Sequence, residues 1–547
     1  MSARVPEGTV ATTTSHCPYC ALNCGLGLAT DADQRLVGQV RWKESPLTAG
    51  ALCSKGSSAW QQVQHAERIV RPLVRRDGEL VETDWDEALD LAAGGFERIR
   101  RDHGADANAV LSGGSLTNEK AYLVGKFARL ALGTRHVDYN GRFCMVAAGK
   151  AHAAAFGLDR AMPPLSEVEH AEVIVVVGAN LSDAFPVMLP KAISTARRNG
   201  ARIVVVDPRF GRWVADDDLR LAVRPGTDGV LFTALLAEIA RQGLLDTDYI
   251  ERRTTGFDET IAAARTVSLD DVERHCDVAA DDVRELARLL GTASQAMILH
   301  ARGPEQQIAG TNNVLAMINV ALAVGLPGRP GCGIDMLTGQ RNGQGGREWG
   351  QRCNQLPAGR SIADADHREI VARRWGVAPS ELPGVGATYT QILDLAGNGV
   401  VKGLLSISNN MSVSAPDLHR VDGQMDALDH VVVIDPFLSE AAERHADIVL
   451  PGSTFAEEEG TVTTSEGRVV RCDQAVAPVP GRADIDVLRL LAERLDVGRH
   501  FAFERGRDVF DEMRAVSAGG PNDYAGISWE RARDGVFWPC PDADHPG

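Results

Sequence analysis

The absences in this 547-residue chain narrow its function first. No apolar run reaches the ~18–20 residues that cross a bilayer, so no membrane insertion is expected. Positive charge is in deficit: 57 Lys and Arg stand against 74 Asp and Glu, a net charge of −17. Such a chain does not bind nucleic acid or an anionic membrane unaided, although a local basic funnel can still admit an anionic substrate. A G-x-G-x-x-G fingerprint is missing, which argues against an NAD site of the usual kind. The opening, MSARVPEGTVATTTSHCPYC, has one Arg, no apolar core and no twin arginine. Neither a secretory nor a twin-arginine signal is read there, and a cytoplasmic location is expected. The ten cysteines are irregularly spaced, unlike a disulfide framework. Any that cluster are better explained by metal binding or catalysis.

Hydrophobic residues at 44% and charged residues at 24% make a globular composition, with several domains of roughly 100–200 residues expected. Cys17, Cys20, Cys24 and Cys53 have the spacing C-x2-C-x3-C-x28-C, in HCPYCALNC and CSKG. Four thiolates suit a soft metal, either zinc or an iron–sulfur cluster. Structural zinc usually takes two separated C-x2-C pairs. One loop with three thiols and a distant fourth suits the corners of a 4Fe–4S cube better. Gly25, Gly27 and Gly56 adjoin these positions, where a loop must wrap closely around an inorganic core. Lys55 is either a solvated lysine or a cation serving a sulfide or a neighbouring cofactor.

Beyond the cysteines, apolar strands alternate with amphipathic helices, the α/β pattern. Val173–Val177 reads as a buried parallel strand. A helix to about Asn199, closed by Gly200, and a strand at Ile203–Val206 follow. Ligands in such sheets lie at the carboxyl ends of strands, which singles out Asn180, Asp207 and Arg209; turn and capping roles are the alternative. RPGTDGVL, residues 224–231, brings Gly226 and Asp228 to a helix entry suited to phosphate. The arrangement recurs. Ala109–Ser112 precedes GGSLTNEK, Leu404–Ile407 ends at Ser408-Asn409-Asn410, and Val431–Ile434 ends at Asp435. Two such halves would hold two nucleotides.

Residues 326–350, LPGRPGCGIDMLTGQRNGQGGREWG, contain eight glycines and are expected to form no regular packed element. A flexible linker is one reading. Gln340, Arg341, Asn342, Gln344, Arg347 and Glu348 favour a loop moulded around a large polar ligand. Cys144, in YNGRFCMVAAG, reads at first as a buried thiol. Cys276, Cys332, Cys353, Cys472 and Cys540 lack ligand-like spacing. His300 and His445 are isolated, and a structural or surface role is expected for both.

Taken in order, HCPYCALNC…CSKG, GSLTNEKAY, YNGRFCM, VVVGANLSD, DPR, GRPGCG…TGQRNGQGGRE and HADIVLPGSTFAEEEGTVTTSEGRV resemble the molybdopterin oxidoreductase family. That group contains nitrate reductases and formate dehydrogenases, and the resemblance covers nearly all of residues 15–547. It implies a multidomain α/β fold of the formate dehydrogenase/DMSO reductase kind, with an N-terminal 4Fe–4S domain and two doubly wound nucleotide-binding-like domains. The boundaries implied are 1–65 for the cluster, 66–140 with 345–480 for a discontinuous α/β domain, 141–344 for a Rossmann-like domain, and 481–547 for a connector. In the family a dinucleotide-binding β-barrel follows such a connector. The sequence stops before it, so the barrel is expected to be absent here or supplied by a separate polypeptide.

The resemblance further implies a 4Fe–4S cluster on Cys17, Cys20, Cys24 and Cys53, and molybdenum held by a bis(molybdopterin guanine dinucleotide) cofactor. Cys144 matches the protein ligand to molybdenum, and a thiolate suits a metal already bound by dithiolene sulfurs. Lys55 matches the family lysine between cluster and pterin. Asn180, Asp207, Arg209, Gly226 and Asp228 would hold one guanine dinucleotide and Asn410 and Asp435 the other. Gly339, Gln340, Asn342, Gln344 and Arg347 would line the cofactor. Formate dehydrogenases typically place His after the metal ligand. Here Met145 follows, which resembles assimilatory nitrate reductases, and oxygen-atom transfer needs no base there. The implied activity is reduction of nitrate to nitrite, with a ferredoxin or a reductase subunit as electron donor. A formate dehydrogenase-type enzyme, or a non-catalytic iron–sulfur subunit without molybdenum, is the alternative.

Overall fold

The computed structural model describes Val5–Gly547. The chain divides into two compact units. The larger runs through Arg142 and adds Gln340–Thr464 and Arg468–Gly547; the smaller is Phe143–Gly339 with Ser465–Gly467. The segments expected as cluster domain, discontinuous α/β domain and connector fall in the larger unit, apart from Ser465–Gly467.

In the smaller unit five parallel strands lie in the order Leu219–Leu221, Arg202–Val206, Val173–Val177, Ala296–His300, Gly333–Met336. Val173–Val177 is a continuous β-branched run buried on both faces, as a central parallel strand must be. Helices Asp228–Arg241, Ala280–Thr292 and Gly310–Ala323 supply apolar side chains to the core around it. The earliest strand is central, and later ones add to either side. The winding therefore reverses between Val173–Val177 and Ala296–His300, which opens a crevice at their carboxyl ends.

Two expectations are corrected here. The helix after Val177 is broken: Leu181–Ala184 makes one turn, Phe185 is non-helical at φ −133°, and Leu189–Arg198 starts afresh. Pro186 is the cause, because its ring pushes the preceding residue out of the helical region. The glycine-rich segment is not devoid of regular structure either. Gly333–Met336 pairs with Met297–His300 as an edge strand, since its buried Ile334 and Met336 gain more from joining the core than glycine entropy costs.

The larger unit repeats the plan. Parallel strands Val137–Tyr139, Asn108–Ser112, Gly403–Ile407, His430–Asp435 and Ile448–Pro451 are extended by an antiparallel hairpin, Leu73–Arg76 and Glu79–Glu82. Its switch point lies between Asn108–Ser112 and Gly403–Ile407. A small antiparallel sheet, Ala11–His16, Gly25–Thr30 and Leu36–Arg41, precedes it. Helix Asn118–Leu130 is buried almost throughout despite its charges, because each has a partner. Lys120 Nζ lies 2.8 Å from Glu458 and 2.9 Å from Asp484, and Glu119 accepts the Thr461 N–H at 2.7 Å. The motifs GSLTNEKAY and AEEEGTVTT thus frame the unit.

Candidate functional site

The turn between strands Ala11–His16 and Gly25–Thr30 carries Cys17, Cys20 and Cys24, and is closed by the Cys17 N–H on the Cys24 carbonyl at 2.9 Å. Cys53 enters from the loop before the 3-10 helix Gly56–Gln64. All four are free thiols; Cys17 and Cys24 are buried, Cys20 and Cys53 half-buried. Burial first, and then the neighbouring thiols, push Cys17 up to about 11 and raise Cys20 and Cys24. Thiols that hinder one another's ionisation are suited to a shared cationic centre, whose binding displaces their protons.

Gly56 fits this role: its N–H donates to Cys53 Sγ at 3.4 Å, and a Cβ there would stand 3.4 Å from Cys17 Sγ. Gly25 and Gly27 do not serve the cysteine loop as expected. A side chain on Gly25 would strike Ser45 and Trp42, and one on Gly27 would strike Val40 and Thr12, so both serve sheet packing. Lys55 Nζ sits 4.8 Å above the Tyr19 ring and close enough to Cys20 to favour its thiolate. Gln340 bridges to Cys20 by backbone pairing, and the Arg341 carbonyl accepts Asn23 Nδ2 at 2.9 Å. The start of the glycine-rich loop is therefore tied to the cysteine loop.

The two switch points match residue by residue. Asn180 and Asn410 each precede a one-turn helix. Asn180 Nδ2 donates to Asp183 at 2.7 Å and Asn410 Nδ2 to Glu440 at 2.5 Å. In each, Oδ1 is buried with no hydrogen-bond partner among the described residues. Asp207 and Asp435 end the adjacent strands, each accepting the N–H two residues on, from Arg209 at 2.8 Å and Phe437 at 3.1 Å. Burial raises both carboxyls, Asp435 to about 7. Asp228, also raised by burial, opens helix Asp228–Arg241 and accepts Gln307 Nε2 at 2.9 Å. Gly226 makes the preceding turn at φ +94°, while Arg209 is exposed. A Cβ on Gly178 would lie 2.3 Å from Pro304 Cδ, and one on Gly113 2.2 Å from the Ser408 carbonyl oxygen. Both switch points therefore need glycine for close backbone approach.

The loop after Gly339 is packed. Asn342 spends its whole amide inside the protein, donating to the Leu116 carbonyl and Asn118 Oδ1 and accepting the Thr463 N–H. Buried Arg347 donates to the Gly343 carbonyl at 2.8 Å and to Gln344 Oε1. Gln344 Nε2 reaches Glu348 Oε1 at 2.9 Å. These residues brace the loop. Gln340 Oε1, by contrast, is buried without a partner among the described residues.

Glu348 and Glu119 are each lifted from an ordinary 4.5 to about 7, chiefly by burial. In the folded chain they hold protons that the unfolded chain releases near pH 4.5. Their contribution to stability is therefore full below that value and is lost as pH rises through about 7. Glu348→Gln is expected to remove roughly 2–3 kcal/mol of that decline. Thermal melts of both forms between about pH 5 and 8 measure it, and parallel curves would contradict it.

In the smaller unit Cys144 is half-buried just before helix Val146–Phe156. Its Sγ accepts Arg302 Nη1 at 3.4 Å, and a Cβ on Gly339 would stand 3.8 Å away. Met145 is buried, its Sδ accepting the Thr338 hydroxyl at 2.9 Å. His300 is not isolated, contrary to expectation. It is fully buried, between Glu305 at 2.8 Å and His152 at 3.3 Å. Sequence reasoning missed Arg302, Glu305 and His152 altogether; ARGPEQQ at a strand end was the available signal. His445 is structural, paired with Asp426 at 3.0 Å.

A family model described as molybdopterin oxidoreductase matches residues 68–494, and one described as molybdopterin oxidoreductase Fe4S4 domain matches residues 10–65. The chain belongs to the molybdopterin oxidoreductase family. This oxidoreductase is 39% identical to the assimilatory nitrate reductase catalytic subunit of Bacillus subtilis, over 97% of this chain and 76% of that protein. It is 34% identical to F420-dependent formate dehydrogenase 1 subunit alpha of Methanococcus maripaludis, over 97% and 77% respectively. Its fold matches that of acetylene hydratase from Pelobacter acetylenicus with a TM-score of 0.75 at 20% identity, over 95% of this chain and 73% of that one.

The family brings a molybdenum cofactor and a 4Fe–4S cluster, and this oxidoreductase has residues that fit both. Four clustered thiols suit the iron. In the smaller unit the unsatisfied Asn180 oxygen, and in the larger unit the unsatisfied Asn410 and Gln340 oxygens, each suit a polar ligand, because each otherwise leaves a buried acceptor unpaired. Among the described residues no helix is long and apolar enough to cross a membrane.

Proposed function

We propose that this oxidoreductase is the catalytic subunit of a nitrate reductase, taking nitrate, two protons and two electrons to nitrite and water. Met145 carries the reading. It adjoins Cys144 with its side chain buried and its sulfur held by the Thr338 hydroxyl, so it offers no titratable group. Oxidising formate requires an acceptor for a proton, whereas taking an oxygen atom from nitrate does not. The 39% identity to an assimilatory nitrate reductase supports the same reading.

Molybdenum, held by Cys144 and pterin dithiolenes, would supply a two-electron centre able to accept oxygen. We read the pterin as the guanine dinucleotide form. A carboxylate matches the paired N–H donors of a guanine edge; Asp207 and Asp435 stand at strand ends, one in each half, and Asp228 at the start of helix Asp228–Arg241. Cys17, Cys20, Cys24 and Cys53 are the proposed cluster ligands. Lys55 lies near enough to Cys20 to act on its charge, and the Gln340–Arg341 backbone is bonded to the cysteine loop; we read this as the side from which electrons leave the cluster. The donor is a ferredoxin or a reductase subunit, and the setting is nitrate assimilation in the cytoplasm.

The 34% identity to a formate dehydrogenase subunit favours a second reading, formate oxidation. The cofactor-loaded protein, assayed with reduced viologen and nitrate and with oxidised viologen and formate, separates the two. Nitrite without formate oxidation is expected, and the reverse overturns the proposal. Iron without molybdenum in metal analysis would leave a non-catalytic iron–sulfur subunit.

A further inference from the structure

Arg302 turns one edge of its guanidinium to Cys144 and spends the rest on an acid. Nη1 donates to Cys144 Sγ at 3.4 Å, while Nε donates to Glu305 Oε2 at 2.9 Å and Nη2 lies 2.6 Å from the same oxygen. The Glu305 side chain is fully buried, and its second oxygen lies 2.8 Å from His300 Nδ1. His300 Nε2 meets His152 Nε2 at 3.3 Å, and His152 Nδ1 faces the Arg160 carbonyl at 3.1 Å. Helix Val146–Phe156, strand Ala296–His300 and the turn Arg302–Glu305 each contribute to this line. The turn is anchored as well: the Gly303 N–H donates to the Gly178 carbonyl at 3.1 Å, and the Gln306 amide donates to the Phe143 carbonyl.

We propose that Arg302 receives the oxyanion substrate beside Cys144, and that Glu305 and His300 are positioning residues that hold its Nη1 edge there. The proposal rests on the reading of nitrate as substrate. With Nε donating to a buried carboxylate and Nη2 2.6 Å from the same oxygen, the guanidinium is held in place, so Nη1 keeps a fixed aim. Charge-assisted N–H groups in a rigid plane suit a flat trigonal oxyanion. A chain of net charge −17 needs a local cation to draw an anion inward. Met145, the other neighbour, brings no charge. The Arg302 side chain keeps 24% of its surface exposed, enough for a small solute to reach it. The crevice it occupies is the switch point of the sheet, where ligands of α/β folds collect.

The test uses the cofactor-loaded protein and its Arg302→Leu, Arg302→Lys and Glu305→Gln variants. Arg302→Leu should raise the nitrate KM at least tenfold with a smaller fall in kcat, at unchanged iron and molybdenum content. Arg302→Lys should recover part of the loss, and Glu305→Gln should raise KM by a lesser factor. Nitrate should also slow phenylglyoxal modification of Arg302 in the wild type, read by peptide mass spectrometry. This readout is independent of turnover, and with Arg302→Lys it decides the matter even if Glu305→Gln fails to fold. An unchanged KM in Arg302→Leu overturns the proposal. So does loss of molybdenum from that variant, which would make Arg302 a support for Cys144. Protection by nitrate without its reduction upholds the binding role and sinks nitrate reduction; normal KM with nitrite formation does the opposite.

Discussion

Replacing Cys144 with alanine is expected to abolish turnover and strip molybdenum from the protein while the visible absorption of the cluster survives. The separation follows from where the thiols lie. Cys144 belongs to the smaller unit, whereas Cys17, Cys20, Cys24 and Cys53 belong to the larger one. Cys144 is half-buried, with its sulfur engaged by Arg302 and flanked by Gly339. Removing the sulfur leaves only a small gap, so the fold should persist and the loss should be chemical. Metal analysis and activity measured on the same preparation give the answer. Turnover that remains at the wild-type rate would remove Cys144 from the mechanism.

Cys20→Ala is expected to eliminate the visible absorption of the cluster and to lower the thermal stability of the larger unit. Cys20 is the informative choice because it is half-buried. Its backbone pairing with Gln340 also survives the substitution. Loss of the spectrum then reports a lost ligand and not a collapsed loop. Stability should fall because metal binding by a folded ligand set adds directly to folding free energy. Cys276→Ala, at a buried thiol of the smaller unit, is the control and should leave the spectrum intact. An intact spectrum in Cys20→Ala would point to another metal site.

The chain's own sequence determined its strands and their ends. Runs such as VIVVV and IVVV are continuous, β-branched and apolar, so only a two-sided core satisfies them, and they form strands at Val173–Val177 and Arg202–Val206. The residues that close such strands, Asn180 and Asp207, then Asn410 and Asp435, follow from local order alone. The cysteine quartet is similarly local, with three of its members inside one turn. What the sequence left open depends on residues far apart in the chain. Gly333–Met336 becomes a strand only because Ala296–His300 offers an edge to pair with. That Asn342 meets Leu116, Asn118 and Thr463 could likewise not be read from its own loop.

His300 and His152 are separated by 148 positions and meet at 3.3 Å. Arg302 and Cys144 are 158 positions apart and meet at 3.4 Å. Local propensity and periodicity act over a few residues, so they set which elements form and where each ends. Which polar groups are buried together, and hence which must pair, is settled only when those elements pack. The character of a lone histidine, arginine or cysteine was therefore decided by the tertiary structure.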